Sequence, residues 1–499
     1  MADTALPAES AVAFQTPSIR RLIILSYWVA VIIGLPIWLY TTSIQRLSLS
    51  ESQVISLQGQ PVDIPVNLYL DDVDNILANS DHFVRTLQTS LQSCTSSAGL
   101  ALVVSNAQSS TSDYDYRLVL KAGSADCKID GRSLRWEVNR ANKASLATQM
   151  TATLCELLAP RSSAADERRV VQYAPKVRLS FSLLNEEVFM EDSFSSWNME
   201  SLFQGHVAPL LERLSPLHNF SVESQTQVYA PLAFDPQRVD NGHVISRDQL
   251  TVFVNSAEWT LASGVTTDPV LHFLLFIPSK EHRPLQIESS IEHDDYFKAF
   301  LVPQWGGVVI YNPPALGQPL GPLPDTVLQD VLSIYKNQLL ALLGVSANCR
   351  CITDSSDISQ WQLDALMRRR TIENVNRSVD ALNSIVKVVN SIQQMPVGKD
   401  VREDVNTALD ALAKFYPPLP LSPSELLAYS ARALSTSSHA FFNPGMLALL
   451  YFPDAHNYAV YLPLFAPILV PLFVTGIKEF KVWRKQRKQQ KLDSHKKAE

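Results

Sequence analysis

Glycine is scarce in this chain, 16 of 499 residues against 30 prolines. That scarcity disfavours glycine-rich phosphate cradles, and neither G-x-G-x-x-G nor a Walker loop occurs. The G-x-S-x-G elbow and the H-E-x-x-H pair are also missing, so no local signature of a serine hydrolase or zinc protease is present. Cysteines are few: Cys94, Cys127, Cys155, Cys349 and Cys351. Cys349-Arg350-Cys351 lacks the second ligand pair of a four-coordinate zinc site, which leaves a disulfide or buried thiols as its reading. Five is odd, so at least one cysteine is free or pairs with another chain. His206, His272 and His293 could meet a cysteine nucleophile in space, but nothing in the pattern selects one. No catalytic, cofactor-binding or metal-binding residue is therefore assigned, and no cofactor is expected. Positive charge is lacking from the middle of the chain. Residues 22–477 hold 31 basic and 44 acidic side chains, a net −13, which excludes the basic face a nucleic-acid partner needs.

Two long stretches without a charge stand out, 22–40 and 458–477. Each is near the ~20 residues needed to cross a bilayer as a helix. Tyr27, Trp28, Trp38 and Tyr40 lie in the first, Tyr458 and Tyr461 in the second, and such rings favour the headgroup zone. The first run is too long for the ~7–15-residue core of a signal peptide and has no small-x-small site soon after it, so it reads as an uncleaved anchor. After residue 477 come nine Lys or Arg and three acids, and positive flanks stay cytosolic. Lys496 and Lys497 resemble a dilysine retrieval signal of the endoplasmic reticulum, an address rather than an anchor. The expectation is a multi-pass protein of that membrane with both termini cytosolic. Its parts are a cytosolic tail 1–21, a span 22–40, a lumenal domain 41–457, a span 458–477 and a basic tail 478–499 that could touch lipid headgroups. Asn219 (NFS) and Asn376 (NRS) are then glycan acceptors on the lumenal side.

The lumenal part divides by pattern. Val62, Ile64, Val66, Leu68 and Leu70 alternate with polar or turn residues, a half-buried strand whose Pro65 predicts an edge or bulge. Helices are expected at 81–94 and 144–158, and strands at 100–104, 116–120 and 134–138. After a polar linker at 161–169, Val177, Leu179, Phe181 and Leu183 mark a strand; residues 198–214 read as one helix, and 221–229, 250–254 and 271–277 as further strands. The whole of about 60–350 predicts an α+β domain, a mixed α/β sandwich on one mixed sheet. About 357–440 is helical. Val375, Val379, Leu382, Val386 and Val389 form one apolar stripe, and Val401, Val405, Leu409 and Leu412 another, with a break at 395–398 between them. Ser422-Pro423-Ser424-Glu425 has capping-box order and starts a further helix.

Four features have both a plain and a functional reading. Asp71, Asp72 and Asp74 follow a strand, where a cation or hydroxyl-rich ligand could bind, but no glycine completes a calcium loop and a solvated turn is the better reading. Arg368-Arg369-Arg370 reads as a solvated helix face, with an anionic headgroup or acidic partner as the functional alternative. Trp305-Gly306-Gly307 is a tight turn feeding a strand, and Trp305 is a candidate partner contact. Pro463, Pro467 and Pro471 recur every four residues and so share one helix face. Each removes an N–H, leaving the carbonyls of Ala459, Pro463 and Pro467 to find other partners in hydrocarbon. Spans of other subunits docking on that face would bury the kinks.

Taken in order along the chain, several stretches resemble the PIG-S family, a subunit of the GPI transamidase. They are the arginine-led first span with GLPIW at 34–38, YAPKVRLSFSLLN at 173–185, SQTQVYAPL at 224–232, NSAEWTL at 255–261, PQWGGVVIYN at 303–312, QLLALLG at 338–344 and YFPDAHNYAVYLPLFAP at 451–467. The resemblance implies a non-catalytic subunit that assembles and stabilises the complex beside a cysteine-protease-like catalytic chain, with other transamidase subunits and membrane lipid as partners. Two alternatives belong to other classes: a lumenal membrane-bound hydrolase or transferase with an unrecognised site, and a cargo adaptor of the endoplasmic reticulum.

Overall fold

The alternation that begins at Val62 becomes strand β1, Ile64–Asp72, in a computed structural model. The model describes residues 16–42, 46–77, 79–106, 114–123, 126–138, 143–159, 168–187, 193–239, 242–253, 268–288, 297–314, 321–345, 351–353, 357–392, 395–416, 421–447 and 454–496. Ile64, Val66, Leu68 and Leu70 are buried, and Pro65 and Asn67 between them are exposed. β1 joins β2 (Leu100–Asn106), β3 (Tyr116–Ala122), β4 (Cys127–Asp130), β5 (Ser133–Val138) and β14 (Ile352–Thr353) in the order β14-β4-β5-β3-β1-β2. All neighbours are parallel except β4 and β5.

Pro65 corrects the edge expectation in part. β1 lies inside the sheet, but its pairing with β2 starts at Ile64 and its pairing with β3 only at Leu68. Ile64 N–H donates to the Gly99 carbonyl on the β2 side, so residue 65 faces the side where β3 has not yet begun. The missing N–H therefore costs no ladder bond. The helix Ser80–Thr95, capped by the Asn79 side chain on the His82 N–H at 3.0 Å, buries Val84, Leu87, Leu91 and Cys94 along one stripe. A disulfide from Cys94 to Cys155 ties it to the helix Lys143–Leu158. A second disulfide, Cys127 to Cys351, fastens β14 beside β4. Cys349 lies outside the described residues, as do His293, most of the 161–169 linker and the NSAEWTL stretch.

The single mixed sheet expected is two sheets and a small third. β6 (Lys176–Asn185), β7 (Asn219–Val228), β10 (Val270–Ile277), β12 (Phe297–Val302) and β13 (Gly306–Tyr311) lie in the order β12-β13-β10-β6-β7, with β12 alone antiparallel. β6 and β13 are buried on both faces. One face carries Leu179, Phe181, Phe273 and Val309 against the helices Met199–His206, Ala208–Leu214 and Asp325–Leu343. The other carries Leu184, Leu274, Phe276 and Val308 against Ile245, Phe253 and Leu285. Ile245 and Leu285 belong to the third sheet, β8 (Gln237–Val239), β9 (Gly242–Ile245) and β11 (Leu285–Ile287). Strands covered on both faces lose the alternation that marks β1, which separates the two large sheets physically.

Two local expectations change. Residues 198–214 form two helices, because Pro209 has no N–H for the Gly205 carbonyl and its ring crowds that position. Residues 249–253 form a short helix rather than a strand, and Val254 lies outside the described residues. Ser246 starts that helix, its N–H donating to Gln249 Oε1 at 3.0 Å, half of a capping box.

The helical part follows its stripes. Helices span Gln360–Ser391 and Lys399–Leu412, and all nine stripe residues are buried. The helix Pro423–Phe441 begins at the expected box: Ser422 N–H donates to Glu425 Oε2 at 2.9 Å, and Glu425 N–H to Ser422 Oγ at 3.2 Å. By contacts the chain divides into one unit of Met1–Glu51, Leu382–Asn406 and Ser438–Glu499 and another of Ser52–Ala381 and Thr407–Ser437. Among the described residues one stretch, Arg21–Trp38, meets both the length and the hydropathy for crossing a membrane, with mean hydropathy 1.9 and no residue buried.

Candidate functional site

The first turns of the helix Gln360–Ser391 build a buried polar cluster around Asp364. Ser359 opens the helix, its N–H and Oγ both donating to Gln362 Oε1 and its Oγ accepting from the Gln362 N–H. Trp361, Asp364 and Arg368 then fall on one face, at helical spacing. Asp364 is fully buried and accepts from Tyr116 Oη at 2.7 Å, Arg132 Nε at 2.7 Å and Nη2 at 3.1 Å, and Gln360 Nε2 at 2.8 Å. Arg368 donates from Nη1 to Tyr116 Oη at 2.6 Å and lies over the Tyr116 ring. Burial pushes the Tyr116 hydroxyl up to about 12, so it stays protonated and donates to Asp364. Four donor atoms occupy the carboxylate, so its oxygens are engaged within the fold. A cleft of about 320 Å³ opens beside it, walled by Tyr114, Arg132, Arg213, Gln360, Met367 and Ser424. A smaller cavity of about 70 Å³ adjoins Arg368, Asn67, Leu421 and Leu426.

The arginine triplet is thus not a solvated face. Arg368 and Arg370 are 3% and 2% exposed. Two positions along a helix turn about 200°, so these two side chains point to opposite sides, and both sides are enclosed. Arg370 donates from Nη2 to the carbonyls of Val171 and Leu343, at 2.7 and 3.3 Å, and from Nη1 to Glu373 at 2.7 Å. Leu343 ends a helix, where carbonyls lack partners and a cation is favoured. Arg369 pairs with Glu373 at 3.0 Å. The triplet clamps the fold together and is not placed to meet a headgroup.

Two members of the acidic run are also engaged internally. Asp72 accepts from the N–H groups of Ile76 and Leu77, and Asp74 from that of Ala122, each at 2.8 Å. Among the described residues no group of three or more His, Cys, Asp or Glu is placed to hold a metal ion. The carboxyl ends of β6 and β10, where the strand order reverses and α/β folds often bind ligands, hold Glu186. It accepts from Ser279 N–H at 2.8 Å and lies 2.6 Å from His282 Nδ1, so it fixes the loop that follows β10. Neither this pair nor the Asp364 cluster is visible as a local pattern, because their members are far apart along the chain.

Trp305 is half-buried, with its ring stacked on His272 at 4.9 Å. Gly306, at φ +156°, has no room for a side chain: a Cβ would stand 1.8 Å from the His272 carbonyl oxygen. Asn219 is the exposed first residue of β7, and Asn376 is exposed on the helix Gln360–Ser391. His206 ends the helix Met199–His206 with no thiol near it among the described cysteines, all of which are in disulfides.

The smaller unit pairs the helix Pro17–Thr42 with the helix Asp454–Lys496. Arg21 Nε lies 3.4 Å from Glu479 Oε2, Trp28 packs on Phe473 at 4.9 Å, and Trp38 packs on Tyr461 and Phe465 at 5.1 and 5.2 Å. Rising numbers on one helix meet falling numbers on the other, so the pair is antiparallel. Pro463, Pro467 and Pro471 are exposed, two positions round from Tyr461 and Phe465 and hence on the opposite side from the first helix. Lys496 is the last residue of its helix, and Lys497 lies outside the described residues.

A model of the family "Phosphatidylinositol-glycan biosynthesis class S protein" matches residues 25–486. A mouse protein named GPI-anchor transamidase component PIGS is 32% identical over 358 residues, 69% of this chain and 64% of the mouse chain. The match thus spans less than two thirds of that relative's length. A fission-yeast protein, GPI transamidase component PIG-S homolog, is 29% identical over 495 residues, 94% of this chain and 86% of its own. The budding-yeast GPI transamidase component GPI17 is 25% identical over 319 residues, 61% and 57% of the two chains.

Proposed function

The chain belongs to the phosphatidylinositol-glycan biosynthesis class S (PIG-S) family, and on that premise we propose that it is a non-catalytic subunit of a GPI transamidase complex in the endoplasmic reticulum membrane. In this reading it assembles and stabilises the complex while a cysteine-protease-like chain performs the exchange of a C-terminal signal for a GPI lipid. The observation that carries the reading is the extent of the family match, which takes in both terminal helices and the folded region between them.

Three structural features support it. The antiparallel pairing of the terminal helices suits two spans, 22–40 and 458–477, that cross in opposite directions and leave both tails cytosolic. Two disulfides suit an oxidising lumen and withdraw four cysteines from nucleophilic chemistry. The buried carboxylates and arginines are spent on internal bonds. In the same reading Asn219 and Asn376 carry glycans, Lys496 and Lys497 serve retrieval, Trp305 is a partner contact, and the faces of the spans meet lipid and other subunits.

The test is rescue. Cells without the chain should accumulate uncleaved precursors of GPI-anchored proteins. Each single Cys→Ser variant should restore attachment wherever it still assembles. A variant that assembles fully yet abolishes turnover would overturn the non-catalytic role.

A further inference from the structure

β7 ends the five-stranded sheet among the described residues, and its outer side is open. The strand runs ten residues, Asn219–Val228, and seven of them are exposed. Asn219 N–H donates inward to the Pro175 carbonyl, so the odd-numbered residues of β7 turn their main-chain groups toward β6. Phe220, Val222, Ser224, Thr226 and Val228 therefore turn N–H and C=O outward. Among the described residues those outward groups have no hydrogen-bond partner.

Exposed sheet edges are normally blunted by lysine, proline, a bulge or short length, because an open row of N–H and C=O groups templates another strand. β7 has none of these devices: it contains no Lys, Pro or Gly, its register with β6 is unbroken over ten pairs, and it is long. Its side chains also carry a two-faced pattern. Phe220 packs against the apolar cluster under the helices, and Val222 and Val228, on the same side of the strand by alternation, are left 40% and 37% exposed at the rim. Ser221 and Glu223 line the other face, with Glu223 paired to the buried Arg178 at 3.1 Å.

We infer that β7 is an interaction edge that takes one extended segment of another subunit as a sixth strand, by backbone pairing along residues 222–228. The row of open main-chain groups selects an extended backbone, and the side chains select alternation, with apolar residues over Val222 and Val228 and polar ones beside Glu223. Pairing from Val222 onward leaves Asn219 clear for a glycan. The inference rests on the proposed membership of a complex, which supplies the partner.

The test uses the full chain. Hydrogen exchange of the β7 amides is compared between the chain purified alone and the chain in its affinity-purified assembly. Val222, Ser224 and Thr226 amides should exchange freely alone and be protected in the assembly. A Val222→Pro, Thr226→Pro variant removes two outward donors and spares the β6 ladder, and should lower recovery of partner chains by about tenfold or more. Equal exchange in both states overturns the inference while leaving the subunit reading intact. Protection in the purified chain that grows with its concentration identifies a second copy as the occupant and also overturns it. Absence of any partner defeats both readings.

Discussion

His218 shows how a single side chain couples this fold to pH. Its Nδ1 lies 2.6 Å from the Ala174 carbonyl, and the ring is buried against Tyr173 and Phe220. Burial pushes its pKa down to about 4, from 6.5. The folded state holds it neutral, while the unfolded chain takes up a proton below its ordinary pKa. Stability should therefore fall as pH drops through the window between those two values, by roughly 2 kcal/mol from pH 7 to pH 5. Denaturant midpoints at several pH values check this, and His218→Gln should flatten the slope. Asp364 is the second case. Replacing it by Ala leaves half-enclosed Arg132 without its counter-charge and the Tyr116 hydroxyl without its acceptor, and should cost about 3–5 kcal/mol in the same measurement. Neither residue announces itself in the sequence. The arginine triplet does announce itself, but as surface charge; only the 200° turn between Arg368 and Arg370, with apolar neighbours on both sides, hints that the helix is enclosed.

Elements were legible where their signals are local. The box at Ser422 and Glu425 and the stripes from Val375 to Leu412 match the observed helices because capping and periodicity act within a few residues. Ser422→Ala should lower stability by about 1 kcal/mol, read from thermal or denaturant unfolding. The equivalent signal at Ser246 and Gln249 was hidden by the apolar run behind it, and Pro209 by the helical pattern around it. Lateral order was not legible: no local pattern says that β6 lies between β7 and β10, or that β14 reaches β4 from 224 residues away through Cys351. On the membrane side the proline periodicity is local, but its facing is not. Changing Pro463, Pro467 and Pro471 together to Leu keeps Tyr461, Phe465 and Phe473 toward the first helix. Insertion should persist and recovery of partner subunits should fall. Recovery equal to wild type would mean that the proline face meets lipid.

For the whole molecule, charge and hydropathy give an expectation of a different kind from the strand pattern. The acidic middle, the two charge-free runs and the basic stretch after Ile477 make up the proposed topology, which can be tested independently of the fold. In sealed microsomes the stretch after residue 477 should be open to protease, and Asn219 and Asn376 should carry glycans. A protected tail with unused sequons would reverse the orientation. Under the proposed function the folded region, with its internally bonded arginines, its enclosed Asp364 and its two disulfides, serves as a scaffold, and a scaffold is defined by what it holds. The most direct test is therefore affinity purification of the tagged full chain in mild detergent, with the co-purifying chains identified and transamidation assayed. The account predicts a cysteine-protease-like chain and further membrane subunits in the eluate, with activity in that assembly and none in the isolated chain. Recovery of the chain alone, or turnover by the isolated chain, would contradict it.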